Sequence, residues 1–203
     1  PEKFDITEIT GADELYAADG IIRRSEQNAS ALFGSADTFY STEGSSQCIC
    51  AMLFLALLEW RRTHRTASIR PAVIAARNVH KAFVRAAALL DFDPIWLSPE
   101  DEVYSLTRCR VGCGQLERVL CETGERAAAV FITSPDYLGT LADIRALSES
   151  AHKHGVMLLV DNAHGAYLRF LPESLHPLDL GADICCDSAH KTLPVLTGGA
   201  YLH

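Results

Sequence analysis

Lysine is scarce in this sequence, and one of the lysines has neighbours that suit covalent chemistry. The lysines are Lys3, Lys81, Lys153 and Lys191. Lys191 follows an apolar segment that ends at Asp187, and Ser188 and His190 precede it. A lysine held in such a polar pocket can lose its proton and attack a carbonyl carbon to form a Schiff base. The competing interpretation is a loop lysine without a function.

A carboxylate closes the most apolar segment of the sequence. Asp161 directly follows Val156–Val160, five apolar residues in a row. A buried carboxylate must be paired, because an isolated buried charge is costly or neutralises itself. Asp161 could therefore ligate a metal, act as a base, pair with a cofactor nitrogen or simply cap a neighbouring turn. His164 could orient it or cap a helix.

The Gly44-Ser45-Ser46 segment has the composition of an anion site at the start of a helix. Glycine allows close approach of the backbone, the hydroxyls donate, and a helix N-terminus offers free N–H groups and partial positive charge. An ordinary helix N-cap explains the same residues without a ligand. The segment is not a P-loop, since no Gly-Lys-Ser/Thr follows, and Gly112-Cys113-Gly114 lacks the third glycine of a dinucleotide fingerprint.

The elements that position these residues alternate between short apolar strands and helices, as in layered α/β folds. Helices are predicted over 13–33, from the Gly44 segment to about 60, and over 80–90, 115–123 and 141–154. Strands are predicted over 38–42, 72–76, 94–98, 128–134, 156–160, 182–187 and 199–203. Continuous apolar runs indicate strands buried on both faces, so we predict one α/β domain with a mostly parallel seven-stranded sheet and helices on both faces.

Ligands of open parallel sheets bind beyond the carboxyl ends of the strands. Polar residues follow these predicted strand ends, and we expect them at one edge of the sheet: Ser45, Ser46, Arg77, Asn78, His80, Ser134, Asp136, Tyr137, Asp161, Asn162, His164, Ser188, His190 and Lys191.

Composition excludes several classes of partner. Hydrophobic residues make up 48% and charged residues 22%, as in globular domains. With 18 basic and 26 acidic residues the net charge is −8, which argues against nucleic acid or an anionic membrane as the main partner. The longest apolar stretch, Cys48–Leu58, is too short to span a bilayer. These features predict a cytoplasmic protein.

The seven cysteines favour reduced thiols over a disulfide framework, because their number is odd and the chain is not a small secreted domain. Cys48, Cys50, Cys185 and Cys186 lie in apolar segments and are interpreted as buried small hydrophobic residues. Cys109, Cys113 and Cys121, with His152 and His154, make a weaker zinc hypothesis. No C-x-x-C pair occurs, so no metal site is predicted.

Six segments together resemble the major domain of the Orn/Lys/Arg decarboxylase family, within the fold type I pyridoxal-phosphate enzymes, whose large domain is like that of aspartate aminotransferase. The segments are Asp5-Ile6-Thr7-Glu8, Gly44-Ser45-Ser46, Arg77-Asn78-Val79-His80-Lys81, Ser134-Pro135-Asp136-Tyr137-Leu138-Gly139, Asp161-Asn162-Ala163-His164-Gly165 and Ser188-Ala189-His190-Lys191-Thr192-Leu193-Pro194. The resemblance implies that residues 1–203 are the cofactor-binding large domain without its C-terminal domain, and that 1–35 are a helical lead-in. The sequence thus looks like a fragment.

The resemblance assigns a role to each matching residue. Lys191 would hold pyridoxal phosphate as a Schiff base, and Asp161 would pair with the protonated pyridine nitrogen. His80 would stack on one ring face and Ala163 on the other, with His164 close by. The phosphate would be bound by the remaining residues: Gly44, Ser45, Ser46, Ser188 and His190. Lys191, Asp161 and His80 would be catalytic, in decarboxylation of arginine, lysine or ornithine by a homodimer for polyamine biosynthesis.

Three positions depart from the family pattern. Glu43 stands where a neutral residue is usual, Asp136 where threonine is frequent and Asn162 where glutamate is frequent. Two other functions stay open at this point. Another fold type I enzyme, an aminotransferase or lyase, would share the cofactor site, and a truncated non-catalytic dimerisation module would share only the fold.

Overall fold

The structure is a computed structural model that describes residues 9–64, 69–98 and 110–203. Lys3, the Asp5–Glu8 segment and Cys109 lie outside the described residues. The helices are α1 Ile21–Phe33, α2 Ser45–Thr63, α3 Lys81–Leu90, α4 Cys113–Thr123, α5 Ile144–Lys153 and α6 Ala189–Thr192. The strands are β1 Phe39–Ser41, β2 Ala72–Ala76, β3 Asp93–Leu97, β4 Ala127–Thr133, β5 Met157–Asp161, β6 Ile184–Asp187 and β7 Ala200–Leu202.

The described strands form a seven-stranded sheet in the order β1-β7-β6-β5-β4-β2-β3. β7 runs antiparallel to both of its neighbours, β1 and β6. The pairs among β2 to β6 are parallel. The predicted mostly parallel α/β sheet is confirmed. In the part of the chain that the structure describes, no helix is long and apolar enough to cross a bilayer.

The apolar runs are buried on both sides because alternate residues of each strand face opposite layers. In β2, Val73 and Ala75 join a core with α2 and α3, whereas Ile74 and Ala76 join a second core with α4 and α5. β4 and β5 divide their residues in the same way. The strand ends are therefore held between two packed helical layers, which fixes the loops that follow them.

The predicted start of the first helix, at residue 13, is wrong. α1 begins at Ile21, because the carboxylate of Asp13 accepts hydrogen bonds from the backbone N–H groups of Glu14, Asp19, Gly20 and Ile22. These bonds hold residues 13–20 in a loop. Aspartate side chains commonly compete with helix formation in this way, by bonding nearby backbone donors.

The last predicted helix before β5 also begins later than expected, at Ile144 instead of residue 141. Asp143 is its N-cap and accepts a hydrogen bond from Ala146 N–H. The cysteine interpretation is confirmed for Cys48, Cys185 and Cys186, which are buried, whereas Cys50 is half-buried. Burial raises the pKa of all three buried thiols, so they act as apolar residues.

Candidate active site

A cavity of about 650 Å³ lies beyond the carboxyl ends of the parallel strands. All ten residues that the resemblance assigns to cofactor binding line it: Gly44, Ser45, Ser46, His80, Asp161, Ala163, His164, Ser188, His190 and Lys191. Asn78, Val79, Lys81, Thr133 and Tyr137 also line it. The side chains of Lys191 and Asp161 therefore face one space, as the resemblance requires.

Asp161 is the last residue of the central strand β5, between Thr133 of β4 and Cys186 of β6. It is 2% exposed. Its Oδ1 accepts hydrogen bonds from Ala163 N–H at 3.2 Å and from the Cys186 thiol at 3.7 Å. Burial raises the pKa of Asp161 to about 6, although the Ala163 N–H and the Lys191 charge act in the opposite direction. Ionising the buried Asp161 carboxyl group is therefore energetically unfavourable, and an added cation would stabilise the ionised form.

Lys191 lies in the short helix α6, with its side chain exposed to the cavity. Its Nζ lies 3.3 Å from Nε2 of His164. Burial and the Lys191 charge lower the pKa of His164, so its neutral ring can accept a hydrogen bond from the lysine ammonium. This contact directs the lysine amine toward the side of the cavity where the 161–164 loop lies.

His80 is the N-cap of α3 and accepts a hydrogen bond at Nδ1 from Ala82 N–H at 3.2 Å. Burial lowers the pKa of His80, and the charges of Lys191, Lys81 and Arg85 lower it further. The imidazole is therefore a neutral, fixed ring at the cavity wall. Such a ring can stack on a flat ligand.

The helix N-terminus beside the cavity has unused hydrogen-bond donors. Gly44 is the N-cap of the 19-residue α2, where no side chain caps the helix and no acidic residue lies in the first turn. Its φ of +70° is a conformation that glycine adopts without strain. Ser188 donates a hydrogen bond to Ser45 Oγ at 3.3 Å, which joins the α2 and β6 segments. Free N–H groups and hydroxyls at a helix N-terminus are donors of the kind that bind anions.

Two consecutive glycines connect the first and last loops of the cavity. Gly44 N–H donates to Gly198 O at 2.8 Å, and His190 N–H donates to Gly199 O at 3.1 Å. His190 Nδ1 also lies 3.1 Å from Gly199 O, which fixes its ring. The sequence analysis missed these glycines, although a Gly-Gly pair directly before a strand is a turn signal that could have indicated them.

Two residues that line this cavity have buried polar atoms without protein partners. Asn78 Oδ1 and Thr133 Oγ1 are buried and have no hydrogen-bond partner, and both residues line the cavity. The sequence analysis missed Thr133, whose pairing with Asp161 across β4 and β5 is not visible in the sequence. Orphaned polar atoms together with free donors, a lysine and a buried carboxylate fit a polar anionic ligand that carries an aldehyde and a basic ring nitrogen. Pyridoxal phosphate has these groups.

The structure explains two of the three departures from the family pattern. Asp136 is buried and accepts hydrogen bonds at Oδ1 from Leu138 N–H and Thr140 N–H, both at 2.9 Å, so it holds the turn after β4. Asn162 is fully buried and donates through Nδ2 to Asp187 Oδ1 at 2.5 Å. Glu43 is exposed and does not line the cavity.

One group of potential metal ligands occurs among the described residues, and it is not the predicted alternative. His176, Asp187 and His203 have ligand atoms within 4.8 Å of one another, and all three are buried. Cys113, Cys121, His152 and His154 form no such group within the described part of the chain. Cys109 lies outside it.

A second cavity, of about 640 Å³, lies where β4 and β5 begin, at the opposite edge of the sheet. Trp60, His64, Cys121 and His154 are among its lining residues, and the Trp60 and His64 rings stack with centroids 4.7 Å apart. We place the candidate active site at the first cavity, because ligands of open parallel sheets bind at the carboxyl ends of the strands.

Comparison with known proteins gives the family. The profile of the family described as Orn/Lys/Arg decarboxylase, major domain, matches residues 3–203. The chain belongs to this family. A Bacillus subtilis (strain 168) protein named uncharacterized protein YaaO is 34% identical over 201 residues, 98% of this chain and 40% of that protein. An arginine decarboxylase of the same strain is 30% identical over 201 residues, 98% of this chain and 39% of its own length.

Comparison with solved structures gives the fold. Glutamate decarboxylase of Lactobacillus brevis CGMCC 1306 superimposes with a TM-score of 0.72 at 18% identity, covering 89% of this chain and 43% of that one. Oryza sativa TDC with PLP and tryptamine gives a TM-score of 0.71 at 18% identity, covering 88% and 40%. This Orn/Lys/Arg decarboxylase family chain has the fold of a pyridoxal-phosphate enzyme large domain, and it spans about 40% of the curated relatives.

We expect Asp161→Asn to stabilise the cofactor-free protein at neutral pH. Because the folded pKa of Asp161 is about 6 and its ordinary value is 3.8, the wild type loses stability as pH rises between these values. The amide variant does not, so its advantage grows to about 2–3 kcal/mol above pH 6. Chemical denaturation at pH 4 and pH 7 measures this difference. Parallel pH profiles of the two proteins would contradict it.

We expect Gly198→Ala to destabilise the protein and weaken the anion site. Gly198 has a φ of +96°, and a Cβ would lie 2.7 Å from the Thr42 carbonyl oxygen. Relieving this contact would move the backbone of Gly198, whose own carbonyl oxygen accepts the hydrogen bond from Gly44 N–H. Thermal unfolding and equilibrium dialysis of inorganic phosphate measure the two effects. Gly114→Ala is the matched control, because a Cβ there meets no atom within 4 Å, and equal effects of both variants would refute the expectation.

Proposed function

We propose that this chain is the cofactor-binding large domain of a pyridoxal-phosphate-dependent decarboxylase that acts on a basic amino acid: arginine, lysine or ornithine. The observation that carries the proposal is that Lys191 and Asp161 line one cavity together with the free N-terminus of α2. Family membership supports the reaction class, and a relative named arginine decarboxylase supports the substrate class.

The chain's own groups divide the work of holding the cofactor. In this proposal the Lys191 amine would hold the cofactor covalently through its aldehyde carbon, with loss of water, and Ser45, Ser46, Ser188 and His190 would bind its phosphate with Gly44 at the helix N-terminus. His80 and Ala163 would enclose the ring. When bound, pyridoxal phosphate supplies a cationic ring that delocalises the electron pair left on the substrate carbon as carbon dioxide departs.

Asp161 has to be ionised to serve this chemistry. Burial opposes its ionisation, and the charge of Asp187 adds to that effect. A protonated ring nitrogen is an opposite charge, which favours the ionised carboxylate. Asp161 would in turn keep that nitrogen protonated, so the two charges stabilise each other in a buried place. The raised pKa of the free carboxyl group thus supports a cationic partner.

His164 and Lys191 form a hydrogen-bonded pair in the site. The neutral His164 ring accepts a hydrogen bond from the Lys191 ammonium, with 3.3 Å between the two nitrogen atoms. Because burial and the Lys191 charge lower the pKa of His164, its ring is a weak base that does not take up the lysine proton. In the proposed mechanism the lysine amine has to lose a proton before it binds a carbonyl, and the hydrogen bond to His164 would hold the amine in place.

The assembly proposed for the whole protein is a cytoplasmic homodimer that serves polyamine biosynthesis. The family resemblance is the source of this proposal, and the exposed apolar side chains of Phe54, Leu55 and Leu58 on α2 support an interface. Analytical ultracentrifugation of the full-length protein distinguishes a dimer from a monomer.

The decisive experiment is titration of the full-length protein with pyridoxal phosphate. We expect a visible absorption band that borohydride removes, with the cofactor then attached to Lys191 in peptide mass spectra. Lys191→Ala should lose at least 90% of the label, whereas Lys153→Ala, a lysine exposed on α5, should keep it. An unlabelled wild type indicates the non-catalytic module. Carbon dioxide release from labelled arginine, lysine or ornithine, without transamination, then identifies a decarboxylase.

We expect Asp161→Ala to reduce turnover much more than cofactor binding. The phosphate and aldehyde contacts remain in this variant, whereas the ring nitrogen loses the charge that keeps it protonated. Turnover should fall by about a thousandfold or more, the scale of removing an electrostatic stabiliser, with a change in cofactor Kd of about tenfold. Equal losses in turnover and in cofactor affinity would refute the role proposed for Asp161.

A further inference from the structure

Asp187 is a buried acid that the proposed chemistry does not use. It is the last residue of β6, and its side chain is fully buried. Its Oδ1 accepts a hydrogen bond from Asn162 Nδ2 at 2.5 Å, and its Oδ2 lies 3.1 Å from His176 Nε2. His203 Nε2 lies 3.3 Å from the same oxygen, without hydrogen-bond alignment. Three nitrogen groups thus surround one carboxylate.

Both histidines are also held by contacts with residues other than Asp187. His203 Nδ1 lies 2.8 Å from Thr38 Oγ1, which lies 2.8 Å from Ser35 Oγ. The Phe33 ring packs on His203 with centroids 4.5 Å apart and on His176 with centroids 5.3 Å apart. Asp187 therefore stands on a rigid support formed by the end of α1, the segment before β1 and the end of β7.

Asp187 is ionised in this setting. Burial acts to raise the pKa of Asp187, but the hydrogen bond with His176 and the nearness of His203 hold it below the ordinary value. An ionised acceptor makes stronger hydrogen bonds than a neutral one. The bond to Asn162 is consequently a strong restraint on the loop that contains Asn162.

Asn162 connects this restraint to the candidate site. It lies between Asp161 and Ala163, and its backbone N–H donates to Cys186 O at 2.9 Å. Gly165 leaves room for this side chain, because a Cβ at Gly165 would lie 2.1 Å from Asn162 Oδ1. The Asp187 bond and the Cys186 bond together fix the backbone on which the Asp161 carboxylate and Ala163 are carried.

Consecutive residues of β6 and its end reach different parts of the cavity wall. Cys186 donates its thiol hydrogen to Asp161, Asp187 binds Asn162, and Ser188 donates to Ser45. The alternation of side chains along a strand sends Asp187 to the face opposite that of Cys186. It therefore acts on the cavity through Asn162.

We propose that Asp187 is a positioning residue, which holds the 161–164 loop through Asn162 and so sets the place of the Asp161 carboxylate. The part of this inference that concerns cofactor affinity rests on the proposed function. The part that concerns the loop does not, since it follows from contacts within the chain.

A metal ion is the competing occupant of the His176, Asp187 and His203 group. Two histidines and an aspartate suit zinc. Direct hydrogen bonding is favoured here, because Oδ1 already accepts from Asn162 and Oδ2 is within hydrogen-bond distance of His176. Elemental analysis of protein purified without chelators should find far less than one zinc per chain, as expected of a chain without a site. One zinc per chain would overturn the hydrogen-bonded assignment.

The loop is tested in the cofactor-free full-length protein by hydrogen exchange of peptides that cover residues 161–165. In Asp187→Asn a single uncharged oxygen has to serve the nitrogen groups of Asn162, His176 and His203. The restraint on the loop is then weaker, so we expect hydrogen exchange of residues 161–165 to be about tenfold faster than in the wild type. Asn162→Ala removes only the connection and should have the same effect. The matched control is Asp183→Asn, at the residue directly before β6.

Asp183 is matched because it also pairs with a histidine and accepts a backbone N–H. Its Oδ2 lies 2.8 Å from His152 Nε2 and accepts from Leu158 N–H at 2.7 Å. Its substitution should lower the melting temperature without changing exchange at 161–165. Equal exchange in Asp187→Asn, Asn162→Ala and wild type would overturn the proposal, as would an equal increase in Asp183→Asn.

The effect on the cofactor is measured by titration with pyridoxal phosphate below the melting temperature of each variant. We expect Asp187→Asn and Asn162→Ala each to weaken binding about tenfold, and the double variant to be no weaker than the poorer single variant, since both break one connection. If the losses of cofactor affinity in the two single variants added up in the double variant, the proposed connection from Asp187 through Asn162 would be refuted. A wild type that binds no cofactor would refute the proposed function instead, and the exchange experiment would still decide the loop.

Discussion

A carboxylate buried at the end of the central strand is the constraint on which this structure depends. Asp161 is kept among apolar layers, and its pKa is raised to about 6 because water cannot reach it. A domain without a ligand gains nothing from such a group, which lowers stability at neutral pH. A cation bound beside Asp161 would remove this cost by stabilising the ionised carboxylate. Active sites commonly contain groups that destabilise the empty protein in this way.

The geometry of the sheet explains why the required groups meet. β4, β5 and β6 are parallel neighbours, so Thr133, Asp161 and the segment after Asp187 reach the same edge. The helices on both faces fix the height of each strand end, and the loops carry the chemistry. Function is thereby confined to short segments that contribute little to the core, while the apolar runs between them carry the packing.

Much of this arrangement could be predicted from the sequence, because strands buried on both faces appear as uninterrupted apolar runs. Val156–Val160 and Ala72–Ala76 are examples, and the polar residues that follow them were expected at one edge. The start of α1 could not be predicted from periodicity, because the bonds of the Asp13 side chain decide it. Local patterns carry no information on such competition. The role of Asn162 was equally hidden, since its partner lies 25 residues away in the chain.

The antiparallel strand β7 also has a consequence for the order in which parts of the domain fold. β1 and β6 are not hydrogen-bonded to each other, because β7 lies between them, and β7 is formed by residues 200–202. The carbonyls of Gly198 and Gly199, which hold Gly44 and His190, come directly before this strand. Contacts between residues so distant in sequence form late, because closing long loops is entropically costly. During synthesis the bonds that join Gly198 and Gly199 to Gly44 and His190 therefore form only after residues 198–202 have left the ribosome and β7 has paired with β1 and β6.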